Sequence, residues 1–374
     1  MDIEGISGIF QNVSDPRRES GNFRHKLVDI LVIGLCCIIC DGQDFEDMEE
    51  FGIERQEWLS EFLELPNGIP DSDTFRRVFE RIDSKELAEC LNQWLEVAQE
   101  SGGRLVNIDG KTIRGSRKRG DHSAIHVVSA WVHENEMVLG QLAVEEKSNE
   151  ITAIPALLDL VDVEGDIVTI DAMGCQTDIA KKIRKKNADY VLAVKENQPT
   201  LYEEIAQYFM WLEKEKPRDA EFELWQSGPE KDHGRIEKRE VRAVIDLNWL
   251  KGKDGWPDLQ TILQYRCFRT EDGQTSVSDR YYISSFDTTA EQFAYLLRNH
   301  WSIENRLHWT LDVVFREDGS RAKKDHSPLN LNILRKVAMS CLKKTQTTKR
   351  TSIRRKMLKA ALNPDFLHLA LFGF

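Results

Sequence analysis

The chain has 374 residues, 41% of them apolar and 30% charged, with a net charge of −12. That balance excludes a disordered or fibrous protein, and no run of the sequence reaches the roughly 18 apolar residues a membrane helix needs. Taken as an average, the acidity also argues against a protein that meets nucleic acid across its whole face.

The charge is segregated along the chain. Residues 1–100 carry a net −14, residues 101–320 a net −9 and residues 321–359 a net +12. A basic C-terminal segment on an acidic body points to a polyanion, with a plain solvated helix as the alternative. The seven cysteines are irregularly spaced, and Cys37 and Cys40 lack the second pair or histidine that a zinc site requires. They are expected in an apolar core, in a reducing compartment, so the chain is expected in the cytoplasm, with no membrane as partner.

Up to about residue 98 the period is helical. Asp15-Pro16-Arg17 predicts a turn, residues 25–40 an apolar buried helix, and residues 44–63 one further helix. The stretch Leu65 to Pro70 is a loop by its Pro and Gly content. Asp71 to Asp73 caps a short helix over 74–81 and Ser84 caps a longer one over 85–99. With Arg76, Arg77 and Arg81 on its first helix this pair resembles a helix-turn-helix, although a plain αα-hairpin is the commoner reading. A boundary is expected at Ser101 to Gly103.

Beyond it the period changes to two. Strands are predicted at 104–109, 124–133 and 137–145, then a helix at 151–162, a strand at 166–171, a basic helix at 177–187, a strand at 190–194 and a helix at 200–216. Residues 217–285 read as a β-rich insertion, followed by one helix over 289–315 and the basic C-terminal segment. The class is α/β, a mixed sheet with helices on its faces, preceded by an all-α N-terminal domain.

Two of these strands end alike. Val106-Asn107-Ile108-Asp109 and Val168-Thr169-Ile170-Asp171 each place a carboxylate at the tip of an apolar run, the edge of an α/β sheet where ligands bind. The alternative, in which each Asp merely caps a turn, stays open. A third acid, Glu304, falls at the edge of the apolar stripe Leu296, Ile303, Leu307 and Val314 when the helix is drawn at 100° per residue. Three carboxylates make an oxygen-only site that suits Mg2+ or Mn2+, and two such ions about 4 Å apart clamp an in-line phosphodiester displacement. Zinc on His300, Glu304 and His308 is disfavoured for want of a recognised paired spacing. Lys111, Arg114, Arg117, Lys118 and Arg119 follow the first acid and Lys181 to Lys186 and Lys195 the second, as candidate phosphate contacts. Trp301 and Trp309 could stack on an unpaired base, but buried packing is the favoured expectation.

These residues carry a family resemblance. Asp15-Pro16-Arg17, Leu65 to Pro70, Asp73 to Arg76, Asn107 to Lys111, Asp171 to Gln176, Val194 to Gln198, His233-Gly234-Arg235 and His300 to Asn305, running into Leu307 to Trp309 and Leu311 to Val313, occur in order over nearly the whole chain. As a set the chain resembles the H-repeat-associated transposases, bacterial insertion-sequence transposases of the DDE type. The resemblance implies an RNase H-like core over 104–345 with the β-rich insertion before its third acid, a helical domain over 1–100 that binds DNA ends, and a basic helical segment over 321–374. It implies Asp109, Asp171 and Glu304 as the catalytic, metal-holding triad. DNA contacts are assigned to Lys111, Arg114, Arg117, Lys195, Arg235, His300 and Trp301. The wider clan often has Tyr and Arg seven and four residues before the Glu and Lys seven after it. Here those places hold Leu297, His300 and Leu311, so those roles do not transfer, although His300 or Arg298 is placed to substitute in part.

The implied activity is divalent-metal-dependent cleavage of an element end to leave a 3′-OH, which then attacks target DNA. The implied partners are double-stranded DNA (terminal inverted repeats and target) and a second copy of the chain in a synaptic homodimer. The alternatives are an inactive remnant that still binds DNA, an RNase H-like nuclease without strand transfer, and an interaction module built on the acidic N-terminal domain. DNA binding is expected to weaken with salt and with loss of residues 321–359.

Overall fold

The structure, a computed structural model, describes residues 10–17, 24–96, 102–117, 124–144, 150–215, 221–232 and 234–373. Ser101, Lys118, Arg119 and His233 lie outside the described residues, as do the last residues of the helix expected over 85–99.

The apolar run near the N-terminus forms α1 (Leu27–Ile39), buried along nearly its whole length because helices close around every side of it. Cys36 and Cys37 are part of that core and the described cysteines are all free. The helix expected over 44–63 is interrupted: α2 (Phe45–Glu54) stops at Arg55 (φ −114°, ψ 12°), and the short helix Gln56–Leu59 restarts after it. Asp44 caps α2 at Asp47, and Asp71 caps α3 (Ser72–Arg81) at Thr74. α3 and α4 (Ser84–Glu96) form the expected hairpin, but Arg76 already holds Asp73 and Glu46.

A ten-stranded mixed sheet follows. Its first five strands, β1 (Leu105–Thr112), β2 (His126–Val132), β3 (Met137–Val144), β4 (Ile167–Ile170) and β5 (Asp189–Val194), run in the order β3-β2-β1-β4-β5. β1 and β3 are antiparallel to β2, whereas β1, β4 and β5 are mutually parallel. This is the RNase H-like arrangement. The parallel crossovers are α5 (Glu150–Leu160) and α6 (Thr177–Lys185), which cover one face of the sheet together with α7 (Pro199–Glu215).

The β-rich residues do not form a separate layer. β6 (Glu223–Gln226), β7 (Glu230–Asp232), β8 (Arg235–Val244), β9 (Thr261–Glu271) and β10 (Gln274–Ser284) extend the same sheet, because Tyr281 to Ser284 of β10 pair antiparallel with β5. The other face carries α8 (Ala290–His300), a π-helical segment over Ile303–His308 and Thr310–Val314, and α9 (Ser327–Lys344). α9 packs on α1, and α10 (Ile353–Leu362) and α11 (Pro364–Phe372) close the same apolar core.

Two sequence expectations change here. The single helix over 289–315 is α-helical only to His300, and beyond it the buried stripe is Ile303, Leu307, Leu311 and Phe315. Phe315 N donates to Thr310 O at 3.1 Å, the i→i+5 bond of the wider π-helix, which recurs at functional sites. Second, part of the charge of the basic C-terminal segment is enclosed in the protein rather than solvated. Arg335, Lys336 and Lys356 are buried, and Lys343 lies over the Trp131 ring while pairing with Glu136. Lys356 Nζ donates to the carbonyls of Leu342 and Thr345 at 2.7 and 2.8 Å, holding α10 onto the end of α9. Among the described residues no helix is long and apolar enough to cross a membrane.

Candidate active site

The parallel register of β1 and β4 pairs Asn107 with Thr169 and Ile108 with Ile170, so Asp109 and Asp171 emerge side by side where that pairing ends. Asp171 accepts a hydrogen bond from Met173 N at 3.0 Å, capping the turn that leaves the strand. Capping and membership of an acidic cluster are therefore not exclusive. Both acids line a cleft of about 800 Å³ with Glu304, Lys195, Arg280, His300 and Trp301.

The polar residues two positions before each acid point to the same sheet face, by the two-residue period of a strand. Thr169 Oγ1 donates to Asn107 Oδ1 at 2.7 Å, and Asn107 Nδ2 donates to Asn299 O at 2.9 Å and Ser302 Oγ at 3.1 Å. With the Thr169 proton so committed, His300 donates from Nδ1 to Thr169 Oγ1 at 2.9 Å. Burial, with Arg280 nearby, lowers the His300 pKa to about 4, so the ring is neutral at pH 7. This buried network fastens the end of α8, and the π-helical segment carrying Glu304, to the strands carrying the two Asp residues. Neither Asn107 nor Thr169 was singled out from the sequence. The available signal was a polar residue inside each apolar run, in phase with its acid.

Burial first, and then the like charges of Asp171, Glu304 and Glu150, push the Asp109 carboxyl up to about 7. His308 Nδ1 lies 3.6 Å from Asp109 Oδ2, and burial with Lys336 and Lys111 nearby takes its own pKa down to about 3. Among the described residues no Lys or Arg comes within ion-pair distance of Asp109, Asp171 or Glu304. Such a donor set, three oxygen-bearing groups with no cation among them, fits a hard divalent ion. Among the described residues, however, no three His, Cys, Asp or Glu side chains stand close enough together to hold one. Glu304 is exposed and makes no side-chain hydrogen bond among the described residues.

The expected phosphate contacts separate into two groups. Lys195, at the end of β5, is exposed in the cleft, and Arg114 and Arg117 are exposed on the turn after β1. Lys111 is 10% exposed and holds Asp312 at 2.8 Å and Glu317 at 2.7 Å, so its charge is committed inside the protein. Arg235 pairs with Glu237 at 2.9 Å, and His300 is turned into the sheet. The tryptophans reverse the expectation of buried packing: Trp301 is 37% and Trp309 55% exposed, because they fall on the face opposite Ile303 and Leu307.

The chain is similar to known proteins over nearly its whole length. The family model described as Transposase DDE domain matches residues 100–341, and one described as DDE_Tnp_1-associated matches residues 8–95. The Escherichia coli O157:H7 protein named "Putative transposase YncI" is 39% identical over 377 residues, 99% of this chain and 95% of that one. "H repeat-associated putative transposase YhhI" of Escherichia coli (strain K12) is 38% identical over 367 residues, 95% of each chain. Among solved structures, a piggyBac transposase synaptic complex with hairpin DNA aligns over 99% of this chain and 81% of that one, with TM-score 0.48 and 12% identity. At that distance the likeness carries no further weight.

Proposed function

The chain belongs to the DDE transposases of the H repeat-associated group, and from that premise we propose that it cleaves the ends of an insertion sequence and joins them to target DNA in a divalent-metal-dependent reaction. The observation that carries this reading is that Asp109, Asp171 and Glu304 line one cleft and, among the described residues, none of them is paired with a Lys or Arg.

Asp109, Asp171 and Glu304 would hold one or two Mg2+ or Mn2+ ions. When bound, these supply Lewis-acid polarisation of the phosphate and a clamp on the attacking and leaving oxygens. The raised pKa of Asp109, set first by burial and then by the neighbouring acids, supports the same reading, since a buried carboxylate is stable when a cation or a proton neutralises it. Asn107, Thr169 and His300 position the third acid against the first two. Lys195 and Arg280 are placed to contact phosphates, and Trp301 to contact the bases beside them. In this reading residues 104–345 carry the chemistry, residues 1–100 help to hold the DNA end, and exposed cations of residues 321–374 add backbone contacts. Two copies of the chain synapse two terminal inverted repeats and engage the target.

The test uses the full chain and a duplex carrying the inverted repeats that flank its own gene, with Mg2+ or Mn2+. Wild type is expected to nick the duplex and then join the freed 3′-OH to a second DNA. Asp109→Asn, Asp171→Asn and Glu304→Gln should each reduce nicking to background while still binding the duplex. Nicking by any of the three variants overturns the site assignment, and nicking without joining by wild type turns the reading to a nuclease.

A further inference from the structure

The strands that extend the sheet are rich in arginine, and most of that charge is already engaged. Arg269 meets Glu237 at 3.0 Å, and Arg266 meets Asp279 and Glu213, each at 2.7 Å. Two arrangements differ. Arg280 has no carboxylate within ion-pair distance among the described residues and lies 5.0 Å over the Trp301 ring, in the cleft. Arg298, on α8, and Arg239, on β8, both close on Glu230, and Arg239 also holds Glu237 through Nη2. Arg298 Nη1 and Nη2 meet the two oxygens of Glu230 at 2.5 and 2.8 Å, and Arg239 Nη1 meets Oε2 at 2.9 Å.

These three guanidinium groups share a place. β8, β9 and β10 pair Val241 with Tyr265 and Tyr265 with Arg280, so Arg239, two residues before Val241, lies on the same face as Tyr265 and Arg280. That face is covered by α8, which brings in Arg298. The positive charges of Arg239, Arg298 and Arg280 all act on the Tyr265 hydroxyl. The same face continues to Leu105, four residues before Asp109, in one apolar cluster. A line of positive charge therefore leads away from the acidic cleft, past Trp301.

Glu230 is an ill-suited permanent occupant. Register places it directly opposite Glu237, and like charges facing each other across two strands are unfavourable. It belongs to β7, a strand of three residues that pairs with β8 alone. Its side chain is 41% and that of Arg298 52% exposed, so a competing anion in solvent can reach the pair. A phosphodiester offers arginine the same two-oxygen geometry as a carboxylate.

We propose that Arg239, Arg280 and Arg298 form a phosphate-binding site for the nucleic-acid strand leaving the cleft, and that Glu230 occupies it as an internal stand-in which DNA displaces. This rests on the reading of the chain as a DNA-processing enzyme.

The test measures binding of the full chain to a fluorescein-labelled DNA duplex of arbitrary sequence, by anisotropy, over a range of KCl concentrations. Glu230→Gln leaves Arg239 on Glu237 and frees Arg298, so it is expected to tighten binding by about tenfold at 0.1 M salt and to steepen the salt slope by roughly 0.9. Arg298→Ala in the Glu230→Gln background should remove most of that gain, and Arg298→Ala alone should not tighten binding. Were Glu230 and Arg298 only a structural strut, the two single variants would act alike. Weakened or unchanged binding by Glu230→Gln therefore overturns the proposal. If wild type binds the duplex and cuts its own ends while Glu230→Gln gains nothing, this proposal alone fails. If neither protein binds duplex at any salt, the DNA-processing reading fails with it.

Discussion

Thr169 donates a 2.7 Å hydrogen bond to Asn107, its register partner on the neighbouring parallel strand, two residues below the paired acids. The hydroxyl also receives His300, so one side chain joins β1, β4 and the helix that leads to Glu304.

Thr169→Val keeps the shape and removes the hydroxyl. It leaves the Asn107 carbonyl oxygen and His300 Nδ1 without a partner in a buried site, at a cost of about 1–3 kcal/mol. Urea denaturation should show that loss, and strand cleavage should fall further than duplex affinity. Unchanged stability would mean the network is not intact in solution.

His300 has a pH signature. Its folded pKa, about 4, lies below the roughly 6.5 of an unfolded histidine, so between these values the unfolded chain binds more protons. Stability is therefore expected to fall as pH drops from 6.5 to 4, by about 3 kcal/mol from this group. The denaturation midpoint of His300→Gln should depend less steeply on pH across that window than that of wild type. Parallel curves would show that His300 is not buried neutral.

Asp109 shows the opposite sign. Its folded pKa of about 7 exceeds the unfolded value, so the folded state keeps a proton that it loses as pH rises through 7, and stability falls with it. Without divalent ions at pH 8, Asp109→Asn should melt at a higher temperature than wild type. Adding Mn2+ should raise the melting temperature of wild type and leave that of the variant nearly unmoved. An equal Mn2+ response in both would place the ion elsewhere.

Glu317 is fully buried, 2.7 Å from Lys111 and 2.6 Å from Asn332, 206 and 15 residues away in sequence. Removing one partner of such a pair leaves an uncompensated buried charge, so Glu317→Leu is expected to destabilise by about 3–5 kcal/mol. Lys111→Met should likewise lower stability while leaving the salt slope of DNA binding unchanged. A slope reduced by about one would restore Lys111 as a phosphate contact.

The C-terminal segment calls for surface substitutions rather than truncation. Removing residues 321–359 would strip α9 from α1 and expose the core, and the chain is expected to aggregate. Arg354→Glu with Arg355→Glu, both exposed, should instead flatten the salt dependence of duplex binding with little change in melting temperature. An unchanged slope would remove this segment from the DNA path.

Much of this molecule is legible in its sequence because the relevant signals are local. An eleven-residue apolar run ending at Cys40 becomes α1, period-two runs become β1 to β5, and the strand-end position of Asp171 follows from a short alternation. The same local patterns single out Asp109, Asp171 and Glu304 as candidate acids. The π-helical segment is not legible in the same way, since an apolar stripe is read at the default period of 3.6.

The sequence by itself determined most of the elements and their order, and it singled out three acids as candidates, because strand alternation and helix period depend on neighbours a few residues apart. Tertiary structure alone decided which charges remain available. Lys111, Arg298 and Lys336 look alike in a list of cations. Folding gives Lys111 to Glu317 and Arg298 to Glu230, and it buries Lys336 against Ser129. The partners come from up to two hundred residues away, and Coulomb attraction with desolvation depends on distance in space, which no local pattern encodes.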